Sequence, residues 1–258
     1  MTSIPEAPSP LPEIGEVRMV ELLTSLRRGA ADFRAAPAFG VFFALFYVAV
    51  GLGLTLAGAG SFIWTLVLAL GFPLVAPFAA VGLYDVSRRI EAGTPLVWTE
   101  ILGVVVRERS RQIPWIGAIL VIVFLFWSFL AHMVFALFMG LSVMTNVSSS
   151  YEVFLTANGL TMIAVEVVIG GAAAFLVFSI TVVSLPLLLE KEVDFVTAML
   201  LSIRTVARNL PVMLVWAAII AGLLFVGMIP YFLGLFVVLP ILGHATWHLY
   251  RRALYDPV

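Results

Sequence analysis

Cysteine is absent from this chain of 258 residues, so disulfides, thiolate metal sites and cysteine nucleophiles are excluded, and the redox compartment leaves no mark. Histidine is nearly as scarce. His132, His244 and His248 are all there are, too few for the roughly six ligands of a haem-copper oxidase centre. Charged residues make up 11% of the chain, against about 25% in soluble domains. The net charge of -1 argues against a nucleic-acid partner. H-E-x-x-H, G-x-S-x-G, phosphate-loop and G-x-G-x-x-G patterns are all missing, so no enzyme class is indicated by motif.

What is present is apolar surface: 62% of the residues are hydrophobic and mean hydropathy is +1.13. A soluble fold cannot hide that much. The first stretch is different, with Pro5, Pro8, Pro10 and Pro12 beside Glu6 and Glu13; it lacks a basic region followed by an apolar core and reads as a disordered cytoplasmic tail over residues 1–15, not a signal peptide. Residues 16–258 read as one membrane domain.

A membrane crossing takes roughly 20 apolar residues, and six segments qualify: 38–58, 61–84, 114–140, 158–189, 211–229 and 231–250. The fourth is longer than a crossing needs, so it should tilt or project. Orientation follows from the basic residues. Arg18, Arg27, Arg28 and Arg34 precede the first segment; Arg88, Arg89, Arg107, Arg109 and Arg111 follow the second; Lys191, Arg204 and Arg208 follow the fourth; Arg251 and Arg252 follow the sixth. The opposite loops, near Gly60, from Leu141 to Ala157 and near Pro230, carry only Glu152 as a charge. The positive-inside rule then places both termini in the cytoplasm. The sequon Asn146-Val147-Ser148 carries no weight without other signs of a secretory pathway.

The segments also repeat. Pro37, Pro114 and Pro211 each open the first helix of a hairpin, where a missing N–H costs nothing, and Arg34, Arg111 and Arg208 each stand three residues before. Upstream of each lies a stretch of helical periodicity, at 17–35, 96–111 and 195–208, as expected of amphipathic helices in the cytoplasmic interface whose arginines reach lipid phosphates. Pro77, Pro186 and Pro240 fall near the far ends of the hairpins, each followed eight residues later by a polar residue: Asp85, Asp194 and His248. The fold expected is therefore all-α, six transmembrane helices in three hairpins, each preceded by an interfacial helix, with pseudo-repeats 16–93, 94–192 and 193–258.

Few side chains could carry chemistry. His244 and His248, one helical turn apart, could share a metal with Asp85 or Asp194 if the repeats converge at the cytoplasmic mouth; the plainer alternative is a polar and aromatic belt with Trp247 and Tyr250. His132 and Glu166 fall at similar depth near the outer edge of the bilayer, where they could face each other. Prolines within the spans, Pro73, Pro77, Pro186 and Pro240, are compatible with a substrate path or with simple kinks. No cofactor is indicated.

The runs Asp32-Phe33-Arg34-Ala35-Ala36-Pro37, Val81-Gly82-Leu83-Tyr84-Asp85-Val86-Ser87-Arg88-Arg89 and Gly243-His244-Ala245-Thr246-Trp247-His248-Leu249-Tyr250-Arg251 resemble the bacterial integral membrane family called domain of unknown function 2189. That resemblance implies a bacterial inner-membrane home and supplies no catalytic residue. The function expected is a non-enzymatic accessory, assembly or lipid-interacting factor whose partners are the bilayer and another membrane protein or complex. A small transporter or channel is the alternative, and a metal-dependent enzyme using His244 and His248 is the second.

Overall fold

The computed structural model describes residues 11–56, 62–140 and 154–255, with the backbone alone at 54, 55, 62–75 and 255. The expectations for residues 1–10, the loop near Gly60 and the loop carrying Asn146 and Glu152 lie outside the described residues. The chain is built of helices. In order they are α1 (Met19–Ala35), α2 (Pro37–Leu56), α3 (Phe62–Ala92), α4 (Trp98–Glu108), α5 (Ile113–Met139), α6 (Ala157–Thr181), α7 (Ser184–Glu190), α8 (Phe195–Arg208), α9 (Leu210–Met228) and α10 (Leu235–Ala253).

Several helix starts have a local cause. Pro37 opens α2, while Pro114 and Pro211 occupy the first turn of α5 and α9, where the ring presets φ and no hydrogen bond is lost. Between α1 and α2 the backbone breaks at Ala36, and the two axes bend by 101°. Thr156 caps α6 by accepting from the Gly159 N–H at 3.1 Å. Asp194 caps α8 by accepting from the Thr197 N–H at 2.9 Å.

Among the described residues each of the six apolar segments is largely helical, the sixth from Leu235 onward. Among the described residues, α5, the run Ala157–Glu190 and α9 are long and apolar enough to cross a membrane, and the bent pair of α1 and α2 would make a fourth. The long fourth segment is interrupted at Val182 and Val183, where α6 gives way to α7.

One feature outside the all-α expectation joins the ends of the chain. Glu13–Ile14 (β1) pairs antiparallel with Leu254–Tyr255 (β2), and the Gly15 N–H donates to the Ala253 carbonyl at 2.8 Å. Asn209, buried at the end of α8, accepts from the Val17 N–H at 2.8 Å and donates to the Gly15 carbonyl at 3.1 Å. The last residues of the expected tail are thus part of the fold, because buried amide and strand partners satisfy their backbone.

The dense core gathers at the same end. Val17, Leu22, Val81, Leu187, Ala198, Trp247 and Leu249 are buried together there. Away from it the helices present apolar side chains outward, among them Phe126, Phe129, Leu137, Val168 and Phe225.

Candidate functional site

The site begins with the face that α1 turns inward. Its buried residues are Glu21, Leu22, Ser25, Gly29 and Asp32, whereas Met19, Val20 and Leu23 are exposed. That inverts the soluble pattern. Small residues allow two helices to approach closely when the surroundings are themselves apolar, and Gly29 shows how closely: a Cβ there would lie 2.6 Å from the Ala245 nitrogen and 2.6 Å from the Ile241 carbonyl oxygen of α10.

One turn beyond this crossing, Asp32 is held between two helices. Its Oδ2 accepts from Ser87 Oγ of α3 at 2.8 Å and pairs with His248 Nε2 of α10 at 2.8 Å. Ser87 Oγ also lies 2.8 Å from His244 Nδ1. The hydroxyl has one proton, and the carboxylate is the stronger acceptor, so His244 bears its proton on Nδ1 and donates to Oγ. All four side chains are buried, Ser87 and His244 completely. Among the described residues no group closes a hydrogen bond to His244 Nε2 or His248 Nδ1.

Around this clasp runs a charged collar. Asp85, fully buried, receives Arg88 and, at 2.9 Å, Arg89 Nε; Arg89 continues to Glu100 at 2.6 Å. Glu190 at the end of α7 receives Tyr250 and, at 2.6 Å, Arg251, and Trp247 Nε1 donates to Glu91 at 3.1 Å. Arg252 reaches back to Glu21. On the far side Arg111 pairs with Glu108 at 2.8 Å and with Glu192, while the Phe195 N–H donates to Gln112 Oε1 at 3.3 Å. Burial pushes the Glu108 carboxyl up, with Arg111 opposing it.

The expected metal set is not assembled. Among the described residues no group of three or more His, Asp or Glu could hold a metal ion. His248 is taken by Asp32, Asp85 by two arginines, and Asp194 stands exposed as the cap of α8. The reason is register. Asp85 and His248 lie inside α3 and α10, but α7 ends at Glu190, only four residues after Pro186, and leaves Asp194 beyond it. Of the two outer candidates, His132 Nδ1 lies 2.6 Å from its own helix's Ser128 carbonyl, and Glu166 is within electrostatic reach of His132.

The arginines separate into two groups. Arg111, expected at lipid phosphates, is instead bound to two carboxylates. Arg34 and Arg208, with Arg27, Arg28, Arg107, Arg109 and Arg204, form no ion pair among the described residues.

Asp32 is the functional residue that periodicity alone misses. Counted among the polar residues of an interfacial helix it looks solvated; the signal is its spacing of three from Gly29 and seven from Ser25.

Residues 65–190 match the family DUF2189, described as a predicted integral membrane protein. Over that stretch, just under half of its length, the chain is similar to this family of predicted integral membrane proteins. No curated protein and no solved structure matches it. The DUF2189 stretch runs from α3 through α7 and contributes Ser87 and Asp85, whereas Asp32, His244 and His248 come from helices outside it.

Proposed function

We propose that this DUF2189-like protein is a non-enzymatic accessory, assembly or lipid-interacting factor of the bacterial inner membrane, crossing it six times in three pseudo-equivalent hairpins with both termini in the cytoplasm. The observation that carries this reading is that the clasp and the charged collar join segments far apart in sequence beside the basic residues expected on the cytoplasmic side. Two segments that hydrogen-bond outside the bilayer stand on the same side, so the chain between them crosses an even number of times. The clasp ties α1 to the end of α3, Arg111 and Gln112 tie the start of α5 to residues 192–195, and Glu190 ties the end of α7 to α10. With α9 apolar enough to cross, this reading has α10 return, despite its two histidines and two arginines. The same parity pairs α5 with α6 and α2 with α3.

The element order of one short and two longer helices recurs in each unit, with α7 added in the second, and supports the repeat. The proline positions at the starts of α2, α5 and α9 support it further. The non-enzymatic reading is supported by the clasp itself, since Ser87 and His244 are fully enclosed and leave no room for a substrate beside the hydroxyl.

Reporter fusions test the topology directly. Fusions at Gly60, Ser149 and Pro230 should report the periplasm, and those at Gly93, Glu192 and the C-terminus the cytoplasm. A periplasmic signal from the C-terminal fusion would require an odd number of crossings and overturn the reading.

A further inference from the structure

Five arginines on α1 and α8 lie beside exposed apolar side chains. On α1 the outward residues run Val20, Leu23, Arg27 and Arg34, with Arg28 alongside; on α8 they run Val196, Leu200, Arg204 and Arg208. These spacings of three, four and seven place each set along one face. None of the five arginines forms an ion pair among the described residues. The contrast with Arg88, Arg89, Arg111, Arg251 and Arg252, all bound to carboxylates of the same chain, is what gives the pattern meaning.

The inward faces of the same helices are already occupied. Ser25, Gly29 and Asp32 on α1, and Ala198, Ser202 and Thr205 on α8, are buried against the rest of the molecule, so the apolar and basic faces are left for the surroundings. The 101° bend at Ala36 sets α1 nearly perpendicular to α2. A helix so placed at the end of a membrane span lies in the headgroup zone, with its apolar residues reaching the acyl boundary and its arginines at the level of phosphate.

We infer that α1 and α8 form a binding surface for anionic phospholipid headgroups of the cytoplasmic leaflet, with Arg27, Arg28, Arg34, Arg204 and Arg208 supplying the charge. The occupant follows from charge complementarity: guanidinium groups with no ion pair among the described residues, beside exposed valine, leucine and isoleucine, match a lipid that is anionic at one end and apolar at the other. The inference rests on the interfacial placement of these helices in the topology proposed above. Arg34 and Arg208 also stand in the last turns of their helices, where a cation favours the helix dipole; that contribution does not depend on which lipid is present.

The test reconstitutes the full chain in phosphatidylcholine vesicles and measures the association of spin-labelled phosphatidylglycerol relative to spin-labelled phosphatidylcholine. The wild type should prefer phosphatidylglycerol. The variant pairs R27Q/R28Q and R204Q/R208Q should each lose preference by about fivefold per arginine at low salt, and added salt should weaken the wild-type preference. Arg111→Gln, at a site already neutralised by Glu108 and Glu192, should leave it unchanged. Equal association of the two lipids with wild type, or undiminished preference in both variant pairs, would overturn the inference. So would full competition by inorganic phosphate, which would mark an anion site and not a lipid surface. Each pair is scored only beside a melting temperature in phosphatidylcholine equal to wild type; if a pair melts early, the single substitutions R28Q and R204Q replace it. A failure here with the fusion pattern intact sinks the lipid surface alone, whereas an altered fusion pattern sinks the topology.

Discussion

Helices α5 and α10 are both rich in apolar residues, yet they meet opposite fates. Only 11% of the apolar window of α5 is buried inside the molecule, whereas α10 buries Leu242, His244, Ala245, Trp247, His248 and Tyr250. The more polar helix is the more enclosed. In water this would be perverse. In a bilayer hydrocarbon surrounds every side chain, so burying leucine against protein gains little over leaving it in lipid, and packing is decided by small residues and by polar groups that need partners. Asp32, Ser87, His244 and His248 need one another; Phe126 and Leu137 of α5 need only lipid.

The sharpest way to break this comparison is to remove Asp32. Asp32→Ala leaves Ser87 and His248 buried without their shared acceptor, and losing one partner of a buried pair costs about 3–5 kcal/mol. Thermal unfolding in mild detergent should show a large drop in midpoint. Phe126→Ala on α5, a far larger excision at an exposed position, should change stability by less than about 0.5 kcal/mol. Comparable losses from both would mean that α5 is packed against something and the comparison is wrong.

A finer version sets two glycines against each other. At Gly29 a Cβ would collide with the Ala245 and Ile241 backbone, while at Gly222 of α9 no atom lies within 4 Å. Gly29→Ala should therefore destabilise by about 1–3 kcal/mol through overpacking of backbone that has nowhere to go. Gly222→Ala should do the reverse, stabilising by roughly 0.5–1 kcal/mol because alanine loses less entropy in a helix. The same melting experiment reads both, and matching signs would refute the difference in enclosure.

Much of the scaffold was legible because its signals are local. Pro37, Pro114 and Pro211 do open helices, and the helices predicted at 17–35, 96–111 and 195–208 are present as α1, α4 and α8. The candidate site was only half legible. His244 and His248 were singled out correctly as a pair on one helical face, but their partners Asp32 and Ser87 lie 216 and 157 residues away in sequence, and no spacing rule reaches that far. The inward face of α1 was not legible either: Ser25, Gly29 and Asp32 are buried with Leu22, while Val20 and Leu23 of the apolar periodicity are exposed. The pairing of Glu13–Ile14 with Leu254–Tyr255 was invisible, since two-residue strands carry no periodicity.

The smallest expected effect concerns the second unit, where Asp194 departs from the pattern of Asp85 and His248. Instead of joining a buried network it caps α8, and its hydrogen bonds to Thr197 hold its carboxyl below the ordinary value of 3.8. A lowered pKa in the folded state means that the ionised form stabilises the fold. That contribution is fully present above the unfolded value and is lost as pH falls through the folded one, so it should be complete at neutral pH and fade only in acid. Asp194→Ala removes the cap and should cost about 1 kcal/mol at neutral pH. Asp194→Asn keeps an acceptor for the helix N–H groups and should cost much less. Melting curves of the three proteins recorded at neutral pH and again near pH 3 would separate the roles: the gap between wild type and Asp194→Ala should narrow in acid, because the wild-type carboxyl is then being protonated. A gap that stays constant would assign the loss to packing at the start of α8, and a gap that widens would mean that Asp194 acts as an acid in the fold, as the enclosed carboxyl of Glu108 is pushed to do.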